Sequence, residues 1–486
     1  MNNLVTGKPV KILLVNPPYQ YFGKTGGKKA QYTEPPLGVA YLAGYALKFF
    51  GDNIDIKILD AAALTLSLEE TIKEVEKNKP DILGVTVVTL SSNLAVKIIT
   101  AYKKTNPGAL TLVGGPHVTA LPYDLIPPAD IACIGEGEET FREIIEYYQA
   151  KRSIDSIKGI AYLHETGKCM VTEGRPYLPS VDIIPFPARH LLPMEKYQHQ
   201  YPYPTKNRNY ATMMTTRGCP FRCSFCGVKK LWGRAIRERS VENILAELDE
   251  LVNIYQVSFI SIFDETFTFR KKRVMEFCDR IIDRKYDIKW ACFSRVNTLD
   301  EELLKKMKQA GCIELQVGVE SGDEAVLKNI CKDIDLKTVI KAFDLIKNAG
   351  INTKAFFMIG NPGETPATIE KTIKFSLELD PTYAFYSILI PFPGIPIHDE
   401  YKARGFIKTY NWGKYNWYLD PVFETDTLSA KDMIRLRRKA EMVFYLRPAR
   451  VWKAFIDAYR AKKMNILFRN FLAWLSIVLP HKKEER

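Results

Sequence analysis

From Lys11 onward, short unbroken apolar runs alternate with longer stretches whose apolar residues recur at helical spacing. KILLVNPP, IDIKILDA, ILGVTVV, LTLVGG and IACIGEGE read as five buried strands, and LGVAYLAGYALKFFG (Leu37 to Gly51) reads as a helix closed by a glycine. This alternation predicts a parallel sheet with helices on both faces, a doubly wound, Rossmann-like α/β domain. A helix over 140–150 follows, then a hairpin, GIAYLHETGKCMVTEG, with its turn near Thr166-Gly167. LPSVDIIPFPARHLLP, four prolines in sixteen residues, is expected to be a linker or clamp.

Beyond it the pattern repeats six times. NYATMMTTR, VSFISIFDE, IKWACFSR, CIELQVGVE, NTKAFFMIG and AFYSILIPF are strand candidates, with helices such as SVENILAELDELVNIY (capped by Ser240) and DLKTVIKAFDLIKNAG between them. Six such units predict a partial (β/α)6 barrel with its site at the carboxyl ends of the strands. The expected divisions are 9–150, 151–205, 206–395 and a helical region over 396–486.

The 486 residues are 46% hydrophobic and 26% charged, which excludes disorder, collagen and a polytopic membrane protein. Met1 to Pro9 is short and polar, so no N-terminal signal peptide is expected. With nine cysteines, an odd number, the expectation is a reducing cytoplasm with thiols as metal ligands or core residues. Of the net charge of +13, Lys431 to Arg486 carries +10, from fifteen Lys/Arg and five Asp/Glu. This tail follows an aromatic stretch (Tyr410, Trp412, Tyr415, Trp417, Tyr418) and includes ILFRNFLAWLSIVLP, Ile466 to Pro480. That run is shorter than the roughly 20 residues that cross a bilayer. Two readings stay open for it: an interfacial anchor at the inner membrane surface, or a helix packed on the barrel.

The sharpest chemical signal is TTRGCPFRCSFCG, which sets Cys219, Cys223 and Cys226 at CxxxCxxC spacing after the first barrel strand. Three thiolates on one loop suit a soft metal centre, and the lack of a fourth leaves a coordination position open for chemistry. The alternative, structural zinc, normally needs a second cysteine pair that is not nearby. Cys278, Cys292, Cys312 and Cys331 repeat no metal spacing and are expected in the core.

The first sheet's strand ends hold Asn16 and Pro17; Thr89 and Ser91; Gly114, Gly115 and His117; and Gly135, Glu136, Gly137 and Glu138. Doubly wound sheets bind ligands at these ends, where glycines admit close approach and free amides. The plain alternative for each glycine is a tight turn.

From about Asn209 to Gly394 the chain resembles the radical S-adenosylmethionine (SAM) superfamily. The resemblance implies a [4Fe–4S] cluster on Cys219, Cys223 and Cys226, with SAM on the open iron and Phe225 beside its adenine. It further implies Asp264 and Glu265 for the methionyl amine, Arg295 for the carboxylate, Glu320 and Ser321 for the ribose, and Gly360 and Asn361 (in IGNPGE) on the adenine side. For each, a helix cap or loop salt bridge is the structural alternative. From about Lys11 to Thr140, through VNPP, VGGPH and GEGEET, the chain resembles the cobalamin-binding domain of such enzymes. No histidine precedes His117, so the cobalt-ligating DxHxxG loop found in the other large cobalamin group is missing. The expectation is cobalamin without a histidine from the loop after the first strand, and His117 in a loop near the nucleotide tail. Cys133 and Cys169 are too isolated for a second cluster, which argues against a methylthiotransferase.

The resemblance implies reductive cleavage of SAM to a 5′-deoxyadenosyl radical, hydrogen abstraction from an unactivated carbon, and methyl transfer from methylcobalamin. Its alternatives are oxidative cyclisation of a tetrapyrrole- or lipid-like substrate, as in the anaerobic magnesium-protoporphyrin ester cyclase group, and a non-catalytic cobalamin or Fe–S binding protein. Implied partners are a reductant such as flavodoxin or ferredoxin and a small-molecule or lipid-like substrate. No stacking-aromatic RNA module is recognisable, which argues against nucleic acid.

Overall fold

The computed structural model describes residues 8–19, 34–199, 205–417 and 420–460. Tyr418 and the apolar run over 466–480 lie outside the described residues.

In the first sheet, β1 (Val10–Asn16), β2 (Ile54–Asp60), β3 (Ile82–Thr86), β4 (Leu110–Gly114) and β5 (Ile131–Cys133) stand in the order β2-β1-β3-β4-β5, all parallel. The expected hairpin, β6 (Ile160–Leu163) and β7 (Cys169–Val171), extends that sheet antiparallel to β5. The interleaved helices are α1 (Leu37–Phe50), α2 (Leu68–Asn78), α3 (Ser92–Thr105), α4 (Pro116–Ala120) and α5 (Glu138–Tyr148). Strand alternation explains the double winding. Ile12 and Leu14 of β1 pack with Val39 and Ala43 of α1 and Phe141 of α5, whereas Leu13 and Val15 pack with Val75 of α2 and Ile98 of α3. Helix α5 begins at Glu138, two residues before the sequence pattern suggests. Glu138 and Glu139 fill its first turn, where the helix dipole favours carboxylates.

The second sheet is fully parallel, in the order β15-β14-β13-β12-β11-β8. Its strands and helices run β8 (Tyr210–Met213), β9 (Thr216–Arg217), α6 (Val228–Trp232), β10 (Arg237–Glu238), α7 (Val241–Asn253), β11 (Phe259–Ile262), α8 (Lys271–Asp283) and β12 (Lys289–Ser294). The series continues through α9 (Glu301–Gln309), β13 (Cys312–Glu320), α10 (Glu324–Asn329), α11 (Leu336–Asn348), β14 (Asn352–Ile359), α12 (Pro366–Leu379) and β15 (Tyr383–Ile388). Side-chain caps start the helices as the sequence suggests: Ser240 accepts from the Asn243 amide, and Asp300, Asp335 and Thr365 do likewise for α9, α11 and α12. NYATMMTTR is not one strand. Asp264 accepts hydrogen bonds from the Thr215 and Thr216 amides at 2.5 and 3.0 Å, turning the chain off the sheet so that β9 pairs antiparallel with β10.

The proline-rich segment is wedged between α1 and the barrel. The Ala188 amide donates to Ala40 O at 2.9 Å, and an added Cβ at Gly44 of α1 would lie 2.6 Å from Phe186 O. Fully buried Arg189 donates to Glu247 of α7 at 2.5 Å and to Thr212 O of β8 at 2.9 Å.

C-terminal to the barrel lie α13 (Pro396–Ala403), α14 (Ala430–Tyr445) and α15 (Pro448–Arg460). Tyr445 Oη donates to Ala384 O of β15, and Arg447 and Arg450 both reach Asp380. Among the described residues no helix is long and apolar enough to cross a membrane.

Candidate functional site

The cysteine loop leaves β9 through Gly218, whose φ is 101° and where a Cβ would stand 2.1 Å from Ala235 O. Only glycine passes there. The loop is then pinned from three sides: the Cys219 amide donates to Gly233 O, the Ser224 amide to Ile330 O, and the Ile397 amide to Ser224 O. Cys219, Cys223 and Cys226 are half-buried and free. Burial raises the Cys219 thiol and pushes Cys226 up to about 12, with Glu265 and the neighbouring thiols adding to both. Such grouped thiols become thiolates when a cation replaces their protons, so the donor set fits an iron–sulfur cluster. Among the described residues no group of three His, Cys, Asp or Glu is arranged to hold one metal ion.

Around the loop the barrel ends contribute unequally. Glu265 is reachable by solvent yet set deep among protein atoms; that burial, with the Asp264 carboxylate, lifts it to about 7. Arg295 is buried, stacks 3.9 Å from the Phe221 ring centroid and places Nη1 3.5 Å from Cys223 Sγ, while its Nε is a buried donor without a partner. Glu320 sits at φ 67° beside an irregularity in β13, with Oε1 2.8 Å from Lys332 Nζ. That ammonium lies 5.7 Å from the Phe225 ring. A Cβ at Gly318 would come within 2.4 Å of the Glu320 carboxylate, so glycine makes room for this pair. Lys332 has no motif around it and was not visible in the sequence.

Four residues expected at SAM also hydrogen-bond within the protein. Asp264 holds the turn before the cysteine loop. Ser321 bonds Thr372 Oγ1 at 3.1 Å and accepts from the Asp323 amide, facing α12. The Gly360 and Asn361 amides both donate to Glu364, Asn361 Nδ2 donates to Met358 O, and a Cβ at Gly360 would strike Phe423 and Met433. These two close a loop beneath the C-terminal region. Cys331 is exposed, whereas Cys278, Cys292 and Cys312 are core residues as expected.

The first sheet's ends differ again. Asn16 donates to Asp60, and Ser91 accepts from the Val88 amide. His117 is in α4, not a loop, and is buried; its ring nitrogens lie 3.2 Å from Thr89 Oγ1 and 2.9 Å from Asp124, with Trp412 edge-on at 5.4 Å. Glu136 and Glu138 are ion-paired to Arg217 of the barrel, not free for a ligand. What remains open is a glycine cradle. Gly115 (φ 113°) lets β4 approach Val87 so closely that a Cβ would meet its carbonyl at 2.8 Å, and Gly135 (φ 77°) faces open space. The buried Ser92 hydroxyl, at the start of α3, has no partner among the described residues. An open strand-end cradle of glycines fits a bulky ligand such as cobalamin.

A doubly wound sheet and a partial parallel barrel with a three-thiol loop at its mouth define a two-cofactor enzyme of iron–sulfur type. Residues 213–376 match the radical SAM superfamily and 23–145 the B12 binding domain. The chain is 36% identical to an uncharacterised methyltransferase of Pyrococcus horikoshii, over 91% of this chain and 94% of that one. It is 30% identical to the anaerobic magnesium-protoporphyrin IX monomethyl ester cyclase of Rubrivivax gelatinosus, over 87% and 75%. The cobalamin-dependent radical SAM enzyme OxsB, solved with aqua-cobalamin and SAM, shares the fold with a TM-score of 0.68 at 19% identity, over 96% and 72%. The chain belongs to the radical SAM superfamily, in the group that carries a B12-binding domain.

Proposed function

We propose that this protein is a cobalamin-dependent radical SAM C-methyltransferase. The observation that carries the reading is the pinned three-thiol loop at the carboxyl ends of a parallel barrel, beside the open glycine cradle of a doubly wound sheet. When bound, the cluster supplies the electron that splits SAM to a 5′-deoxyadenosyl radical, and cobalamin carries a methyl group to the substrate carbon. Cys219, Cys223 and Cys226 hold the iron. Arg295 donates toward Cys223 sulfur and offers its free Nε to an anionic group. Glu265, neutral in part near pH 7, becomes a full carboxylate when an ammonium is set beside it, which selects the methionyl amine. Lys332 and Glu320 frame Phe225, the adenine side. Gly115 and Gly135 would form the cobalamin cradle, with Gly114, Gly137 and Pro17 at the same strand ends.

The chemistry requires an external reductant, proposed to be a flavodoxin or ferredoxin in the cytoplasm, and a small-molecule substrate. Phe263 just beyond β11, Phe293 of β12, Phe356 of β14 and Phe385 of β15 run ring to ring at 5.6–6.2 Å, passing over β13, which supports an apolar substrate. The cyclase relative favours oxidative ring closure as the second reading. Peripheral membrane contact has support from exposed Met442 and Val443 beside Lys431, Arg435 and Arg438, and from exposed Leu446, Trp452 and Phe455 further along the chain. It is tested by binding to anionic liposomes, which Trp452→Glu should abolish.

The function is tested by anaerobic reconstitution, measuring iron, sulfide and cobalamin per chain, then SAM products by mass spectrometry. Deoxyadenosine together with S-adenosylhomocysteine supports methyl transfer, and deoxyadenosine alone supports cyclisation. Zinc in place of iron, or neither product under any reductant, overturns the enzyme.

A further inference from the structure

Arg217 immediately precedes Gly218-Cys219, yet its guanidinium is buried in the other half of the molecule. Nη1 lies 3.1 Å from Glu136 and Nη2 2.5 Å from Glu138, the two carboxylates that follow β5. Arg237, its cross-strand neighbour on β10, grips Glu136 at 2.6 and 2.9 Å, and Leu178 closes the remaining side through its amide and carbonyl. Trp232 and Tyr41 cover the Arg217 guanidinium at 4.7 and 5.5 Å, and Tyr177 covers Arg237 at 4.6 Å. Two cations and two anions, all nearly excluded from water, thus meet where the sheet ends and the cysteine loop begins. Burial raises Glu136, but Arg237 and Arg217 bring it below the usual carboxylate range, so it is held charged.

We infer that Arg217 is a positioning residue that fixes the separation between the cysteine loop and the strand ends of the first sheet. The inference rests on the proposed function for its consequence, since those strand ends are where cobalamin is placed. A planar fork reaching two carboxylates at once sets both distance and orientation, which a lysine ammonium does not. The seam also explains why Glu136 and Glu138, at a ligand-binding edge, are held in ion pairs.

The test has two arms. In the cofactor-free chain, hydrogen exchange is compared for wild type, Arg217→Lys and Glu138→Gln. The latch predicts that each variant raises exchange in both 134–140 and 215–239 by about tenfold or more, the scale of losing one charge-assisted hydrogen bond. Helices α3 and α9 should keep wild-type protection. Faster exchange confined to the mutated segment, or spread through α3 and α9, overturns the latch. Glu138→Gln removes one charge without changing shape, so it reads the same contact if Arg217→Lys fails to fold. In the reconstituted protein, iron per chain should stay at wild-type level while deoxyadenosine rises several-fold relative to methylated product. An unchanged ratio overturns the positioning role. Failure of wild type to take up cobalamin or cleave SAM sinks the functional proposal alone, because the exchange arm needs neither.

Discussion

Both sheets present polar residues at the carboxyl ends of their strands, but the two sets are differently engaged. At the first sheet Asn16, Thr89, Ser91, His117, Glu136 and Glu138 are all bonded to other protein groups. At the barrel three thiols stand together outside any disulfide, with Arg295 Nη1 on Cys223, and the Arg295 Nε has no hydrogen-bond partner among the described residues. The difference shows that a ligand-binding edge is recognised by what its side chains leave unsatisfied, not by polarity alone. On the proposed function the first sheet would bind by shape, through glycines, and the barrel by donor chemistry.

The harshest way to break this comparison is Cys223→Ala. Iron per chain should collapse and deoxyadenosine formation disappear, while cobalamin retention survives. Cys331→Ser, at the exposed cysteine, should change neither. Loss of cobalamin in step with iron would mean that the two edges do not bind independently.

Next in size is Lys332→Met. It leaves Glu320 buried without its cation, at a cost of about 3 kcal/mol, the low end for breaking a buried pair. Thermal unfolding should drop by several degrees and the KM for SAM should rise. The double variant with Glu320→Gln should recover most of the stability but not the KM. Full recovery of both would make the pair purely structural.

These residues also mark the limit of what could be read from the chain. Cysteine spacing, six strand–helix repeats and the helix caps were legible because each is local. Partners of Lys332 and Arg217 lie 12, 79 and 81 residues away, and no periodicity links such positions. The same distance effect hides the neighbours of Ser321, Gly360 and Asn361: they stand at strand ends as expected, and only the structure shows Thr372, Glu364, Phe423 and Met433 against them. Asp264 and Glu265 show it within one dipeptide: successive residues point to opposite sides, so one carboxylate holds the scaffold and the other stands at the mouth.

A milder variant, Gly135→Val, addresses the shape side. A branched residue at φ 77° is strained by roughly 1–2 kcal/mol and fills the open cradle. Cobalamin should bind about tenfold more weakly, with iron content unchanged. Unchanged affinity would remove Gly135 from the cradle.

The smallest effect separates the two regions by pH. Glu364, buried under the barrel loop, is raised to about 7 by burial, only partly offset by the Asn361 and Gly360 amides. The folded state holds its proton more tightly than the unfolded chain. Its contribution is therefore complete below about 4.5 and lost as pH rises through about 7. Glu136 has the opposite sign. Its folded-state value is depressed by the two arginines, so its contribution is present at neutral pH and lost on acidification. Glu364→Gln should flatten the alkaline side of a stability profile, by on the order of 1 kcal/mol, and Glu136→Gln the acid side. Urea midpoints measured from about pH 3 to pH 8.5 distinguish them, because the Glu136 limb lies below the ordinary carboxyl value of 4.5. If both substitutions flatten the same limb, the barrel loop and the interdomain seam do not differ in the way their hydrogen bonds require.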